Sequence, residues 1–173
     1  MRPMKRRAAG FTLMELMFTV LIVAILLAVA VPSFRQFTRN NRVTAAQNDL
    51  VTSLTLARSE ALRRNRPVSV CASTDGSSCG DETDWGSGWI AFTDRGTAGT
   101  LDGDDEVLQV WQLGDPDLTF ASGGSAFEQY LPTGLSAAAM TIDIAWTGCT
   151  GQHMRRVAVG ASGALTGQLV NCP

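Results

Sequence analysis

From Phe11 to Val31 the chain carries one charged residue, Glu15, inside an otherwise apolar run. About 20 apolar residues in helical form cross the hydrocarbon core of a bilayer, so residues 11–32 read as a transmembrane helix. Arg2, Lys5, Arg6 and Arg7 make residues 1–10 a basic leader, and such flanks stay on the cytoplasmic side. Arg35, Arg39 and Arg42 beyond the span make that bias less one-sided. An ionised carboxylate in hydrocarbon costs about 2.5 to 3.5 kcal/mol on insertion scales, so an acid at this depth needs a partner or a role. A cut between Gly10 and Phe11 would create an α-amino cation a few residues from Glu15. A neighbouring subunit could supply that cation too.

An ordinary secretory signal is the competing reading. Ala28-Val29-Ala30 has the small-x-small form of its cleavage site, which would leave an exported protein starting near Val31. The acid inside the apolar segment and the continuation beyond Ala30 argue against it. Residues 33–66 contain no Gly and no Pro, the two strongest breakers of a helical pattern. Val43, Ala46, Leu50, Leu54, Ala57 and Ala61 recur at three- and four-residue steps, which paints one apolar stripe on an amphipathic helix. Glu60 stands at i,i+3 and i,i+4 to Arg63 and Arg64, the spacing of helical ion pairs. Pro32 removes one helical hydrogen bond, so a kink or local melting is expected there. At 1.5 Å per residue, Phe11 to Arg64 would form an element roughly 80 Å long, more than a small isolated domain needs and of a length suited to packing in a filament.

From Pro67 the character changes. Short β-prone runs at 68–71, 89–92, 107–111, 118–120, 140–146 and 157–159 are separated by Gly, Ser, Asp and Thr, the pattern of strands bounded by turns. Six to eight strands predict residues 67–173 to be a β-rich head, a small antiparallel β-sandwich or two short sheets. Residues 94–105 and 121–126 read as flexible loops. Cys71, Cys79, Cys149 and Cys172 all lie in the head, as suits an oxidising compartment beyond the membrane. Of three formal pairings, the one in sequence order, Cys71 with Cys79 and Cys149 with Cys172, is favoured because each bond closes a local loop, worth about 2.5 and 3.5 kcal/mol in the chain-entropy picture. A zinc site finds no Cys-x-x-Cys and only one histidine, His153, so no metal or cofactor is expected.

The basic leader ending in Gly10, followed by Phe11-Thr12-Leu13-Met14-Glu15-Leu16, resembles the type III signal of type IV pilins and type II secretion pseudopilins. In that family a prepilin peptidase cleaves after the glycine and methylates the new N-terminal residue, here Phe11. The resemblance implies that Glu15 registers an incoming subunit against the N-terminus of its neighbour. Ala57-Arg58-Ser59-Glu60-Ala61, Cys71 to Cys79 and Trp85-Gly86-Ser87-Gly88-Trp89-Ile90-Ala91-Phe92-Thr93-Asp94 extend the likeness to the FimT/FimU/GspH branch of minor pilins. The fold it implies is the α+β pilin ladle, a long N-terminal helix on a β head. Implied partners are the prepilin peptidase, other major and minor pilins, an inner-membrane assembly platform, and lipid before assembly. The implied location is the inner membrane with a periplasmic head, then the extracellular pilus.

Charge bears on one function of that branch. Some FimT-type members bind DNA through a basic Gly-Arg-x-Arg motif near the C-terminus; the corresponding place here, Gly163-Ala164-Leu165-Thr166, lacks both arginines. Residues 67–173 hold three arginines, Arg95, Arg155 and Arg156, against thirteen Asp and Glu, a formal charge of −10. Nonspecific DNA affinity rests on cations that displace counterions from phosphate, so the head is a poor DNA receptor and Arg155-Arg156 is its one basic pair. Asp102-Gly103-Asp104-Asp105-Glu106 clusters hard oxygen ligands without the spacing of a calcium loop, and reads as a solvated turn. Trp85 and Trp89 read as core residues beside glycines that let an indole cross tight backbone, with an exposed stacking pair as the rival. No nucleophile elbow, phosphate-cradling loop or histidine-based acid/base group stands out. The sequence thus points to a minor type IV pilin that enters and helps initiate a pilus, not to an enzyme. A GspH-like pseudopilin of type II secretion and a DNA receptor for natural transformation are the alternatives.

Overall fold

The computed structural model describes residues 11–173, and the chain divides into two compact units, Met1–Arg39 and Asn40–Pro173. The basic leader and Gly10 lie outside the described residues. Helix α1 is assigned over Leu13–Arg64 and so contributes to both units.

In the first unit the helix starts at a cap that the chain supplies itself. The Glu15 backbone N–H donates to Thr12 Oγ1 at 3.2 Å, the bond by which an N-cap threonine satisfies an orphan donor of the first turn. Thr12-x-x-Glu15 is the spacing of a capping box, and it also sets the carboxylate in the turn where the helix dipole is positive. Helical structure continues through Pro32, the position at which a kink or local melting is expected. The side chains from Phe11 to Phe37 are exposed, Phe11 at 78% and Val29 at 70%. This segment is long and apolar enough to cross a membrane.

In the second unit α1 buries Val43, Ala46, Leu50, Leu54, Ala57 and Ala61, the stripe that the 3.6-residue period defines. Gln47 and Ser53 are buried with them, Ser53 by returning its hydroxyl to the Leu50 carbonyl at 2.8 Å. The helix ends where Asn65 takes a left-handed φ of 53° and the Arg66 N–H reaches back to the Ala61 carbonyl at 3.3 Å. That is a Schellman closure, with Pro67 preventing continuation.

The strands are β1 (Val68–Ala72), β2 (Gly88–Thr93), β3 (Val107–Gln112), β4 (Leu118–Ser122), β5 (Phe127–Tyr130), β6 (Met140–Trp146), β7 (Met154–Val159) and β8 (Leu165–Val170). They form two four-stranded antiparallel sheets, ordered β3-β2-β1-β5 and β4-β6-β7-β8. Because β4 joins the second sheet and β5 returns to the first, the chain crosses between sheets three times and ties both to one core. That core combines the helix stripe with Val70, Trp89 and Tyr130 of the first sheet and Ile142, Ile144 and Val157 of the second. Alternation along β6 buries Met140, Ile142 and Ile144 on one face and leaves Thr141 exposed on the other.

The first sheet is covered on both faces. Its outer side holds Cys71, Ile90 and Phe92, packed with Phe127 of β5 and with half-buried Cys79 and Leu101, so the loops after β1 and β2 form a second layer. Residues 94–105, expected to be a flexible loop, are laced into that layer. Asp94, 2% exposed, accepts from Ser69 Oγ at 2.5 Å, Gly99 N–H at 2.7 Å and Gln129 Nε2 at 2.9 Å. Of residues 121–126, Ala121 and Ser122 belong to β4.

The disulfides join Cys71 to Cys79 and Cys149 to Cys172, with Cα atoms 5.6 and 5.8 Å apart. The first staples the outer loop to β1. The second holds the tail, whose Cys172 N–H also donates to the Gly151 carbonyl at 2.8 Å. Replacing Cys149 and Cys172 together by serine is expected to cost about 3 kcal/mol, read as a lower denaturant midpoint for the full chain in detergent. An unchanged midpoint would show that the tail contributes nothing to the fold.

Candidate functional site

The candidate site is a surface for assembly. Phe11 and Glu15 lie on the exposed apolar segment, and Glu15 makes no ion pair among the described residues. The carboxylate therefore stands in the first turn of a helix, amid naked apolar surface, available to a cation from outside the described chain. The Thr12 cap on the Glu15 N–H gives this residue a local backbone role beside any intermolecular one.

In the head, the residues that suggested other chemistry are occupied. Arg156 forks onto Asp143, its cross-strand partner on β6, with Nε–Oδ1 at 2.6 Å and Nη2–Oδ2 at 2.7 Å. That bidentate pairing satisfies the guanidinium, so of the arginine pair only Arg155 carries no ion pair among the described residues. Arg155 borders a recess of about 250 Å³ with Asn40, Gln152, His153 and Leu169.

Gly163-Ala164-Leu165-Thr166 runs from the turn between β7 and β8 into β8. Here a guanidinium does arrive, from the helix. Arg58 donates through Nε to the Gly134 carbonyl and through Nη2 to the Ser162 carbonyl, both at 3.0 Å. It pins two loops together instead of facing solvent with its charge free. Gly163 has a φ of 72°, and a Cβ there would run into the Gly134 carbonyl oxygen, so this close approach requires glycine.

Asp102, Asp105 and Glu106 of the acidic turn before β3 are likewise spent on backbone and ion pairs. Asp102 Oδ2 accepts from Thr97 N–H at 3.1 Å, and Asp105 accepts from Arg95 and Asp102 N–H groups, both at 2.9 Å. Glu106 is bound by Arg64, which also meets Glu60 through Nε at 2.6 Å. Hydrogen bonds from Arg63 and Arg64 hold the Glu60 carboxyl at about 2, well below the ordinary carboxylate range. Backbone N–H groups of Ser77 and Ser78, with the Ser78 hydroxyl, hold the Asp75 carboxyl well below its ordinary value too.

Trp85 and Trp89 are both fully buried, which removes the exposed stacking reading. Trp89 packs with ring centroids 6.3 Å from Trp85, 6.4 Å from Trp111 and 6.1 Å from Phe120. The nearby glycine serves a different approach from the one expected. At Gly88, φ 146°, the β3 backbone at Trp111 comes too close for any Cβ, so a strand rather than an indole crosses there. The recess of about 570 Å³ beside it is lined by Thr74, Ser87, Gln112 and Asp115 among others.

A long apolar helix with one acid in its first turn, running into a disulfide-stapled head of two antiparallel sheets, defines a pilin-type subunit. Residues 46–163 match the family described as type II transport protein GspH, and residues 5–31 match the prokaryotic N-terminal methylation motif. The chain belongs to the GspH family, whose members are structural subunits rather than enzymes. A fimbrial protein of Pseudomonas aeruginosa is 38% identical over 66 residues, 38% of this chain and 43% of that protein. The chain thus spans less than half the length of the curated relative it matches. Two crystal structures of the P. aeruginosa type IV minor pilin FimU share the fold. One gives a TM-score of 0.59 at 23% identity, over 78% of this chain and 92% of that one; the other gives 0.55 at 20%, over 72% and 91%.

Proposed function

We propose that this chain is a minor type IV pilin of the FimT/FimU type, cleaved after Gly10, methylated at Phe11, and built into a pilus or its initiating complex. The observation that carries this reading is the exposed apolar segment with Glu15 in its capped first turn. A helix of this kind is stable in only two settings, lipid or a bundle of like helices. Before assembly it anchors the protein in the inner membrane with the head beyond it. On assembly it exchanges lipid for neighbouring subunits, and Glu15 meets the α-amino group of an adjacent mature chain. The prepilin peptidase, other major and minor pilins, and the inner-membrane platform are the partners this requires.

A pseudopilin role in type II secretion is the second reading, favoured by the description of the matching family. DNA capture finds less support, because Arg156 is paired to Asp143 and Arg58 is spent on loop carbonyls. A strain lacking the gene is expected to lose surface pili while protein secretion continues. The reverse pattern would assign the chain to the secretion machine, and loss of DNA uptake with pili intact would revive the receptor reading.

A further inference from the structure

Glu128 is a buried acid that no assembly role uses. It lies on β5 opposite Val70 of β1 and is 2% exposed. Its Oε1 is 2.5 Å from Ser136 Oγ, and the same hydroxyl is 2.5 Å from the Ala138 carbonyl oxygen. A serine hydroxyl has one proton to give. With an ionised Glu128, two acceptors would compete for that proton, and either the carbonyl or the buried charge would lose its donor. With a protonated Glu128 the chain closes: the carboxyl O–H donates to Ser136 Oγ, and the Ser136 hydroxyl donates to Ala138.

We propose that Glu128 is a neutral carboxylic acid in the folded head, and that its proton latches residues 131–138 along the edge of the first sheet. This segment turns back beside β5, with Leu131 N–H bonded to the Leu135 carbonyl at 2.8 Å and Ala137 N–H to the Gln129 carbonyl at 2.9 Å. Ser136 N–H also reaches the Ala161 carbonyl at 3.2 Å, which ties the segment to the turn between β7 and β8. The latch therefore joins the two sheets where Arg58 pins the same loops.

The surroundings favour the neutral acid. From β5 comes Tyr130, whose hydroxyl is buried without a hydrogen-bond partner and feels the Glu128 charge and Arg58 of α1; β1 places Val70 opposite, and the returning segment presents Ser136. Burial pushes the Glu128 carboxyl up to about 7 from an ordinary 4.5, against a smaller downward pull from Ser136. Burial, and then the Glu128 charge, pushes Tyr130 upward as well. Because the folded state holds this proton more tightly than the unfolded chain, its stabilising contribution is complete below 4.5 and is lost as pH rises through about 7.

The test uses the full chain in detergent. Infrared difference spectra of wild type minus Glu128→Gln in mildly acidic buffer are expected to show a protonated-carboxyl stretching band, a subtraction that removes any signal from Glu15. The folding constant of the wild type is expected to fall roughly fiftyfold more between about pH 5 and about pH 8 than that of Glu128→Gln, whose amide donates to Ser136 at every pH. No difference band, or the same pH slope in both proteins, would overturn the proposal. If Glu128→Gln does not fold, Ser136→Ala provides the second reading: the protonated-carboxyl band shifts as it loses its acceptor, and a spectrum identical to wild type contradicts the latch.

Discussion

Replacing Glu15 by alanine is expected to leave the chain in the membrane and largely out of filaments, with incorporation reduced roughly tenfold or more, a loss of at least about 1.4 kcal/mol. The side chain is exposed on the first turn of α1, amid apolar residues. Alanine removes the desolvation cost of the acid, so insertion into lipid becomes easier. What the proposed registry would lose is the match to an α-amino group on a neighbouring subunit, an attraction of about 4 kcal/mol at 4 Å and an effective dielectric of 20. The backbone half of the cap, donated by the Glu15 N–H to Thr12 Oγ1, survives the substitution. Loss of assembly would therefore report the carboxylate and not a frayed helix. Counting labelled subunits in sheared filaments measures this, and wild-type incorporation of Glu15→Ala would remove the registry role.

The second large effect belongs to the head. Trp89→Ala is expected to cost about 3 to 5 kcal/mol, a large part of the 5–15 kcal/mol that holds a typical domain together. The indole is fully buried and is the ring on which Trp85, Trp111 and Phe120 converge. For a head of this size a loss of that order lowers the melting temperature by roughly 15 °C or more. Trp111→Ala, at a half-buried ring on the edge strand β3, should cost clearly less. Thermal unfolding followed by near-ultraviolet circular dichroism separates the two, and equal shifts would contradict this centring of the core.

Much of this was legible in the sequence because it is written in local periods. The six apolar positions from Val43 to Ala61 define their burial through spacing alone, and the Glu60 pairs follow from positions on one helix. The strand runs centred on Val70, Ile90, Val110 and Ile144 are dense in β-branched and aromatic residues and are found where those residues place them. β5 and β8 were missed for opposite reasons. Phe127-Glu128-Gln129-Tyr130 puts an acid and an amide in a strand whose polar groups are satisfied only by tertiary partners, Ser136 and Asp94. Leu165-Thr166-Gly167-Gln168-Leu169-Val170 is an exposed edge with a central glycine, so no burial pattern marks it. Arg155-Arg156 reads from the sequence as the start of a strand, and β7 begins one residue earlier at Met154; what the sequence does not record is Asp143 waiting opposite Arg156. Arg58 reaches carbonyls 76 and 104 residues away, a relation that no local spacing records. The outer layer over the first sheet escaped for the same reason, since Asp94 organises it through Ser69, Gly99 and Gln129.

The central claim is that the exposed apolar segment is the working end of a mature pilin subunit, and the N-terminus of the protein recovered from cells tests it most directly. Intact-mass and N-terminal fragment measurements on the purified membrane or filament form should find a chain that begins at Phe11 and carries one methyl group on its α-nitrogen. A chain beginning near Val31, or one that retains residues 1–10 in the assembled form, would contradict it.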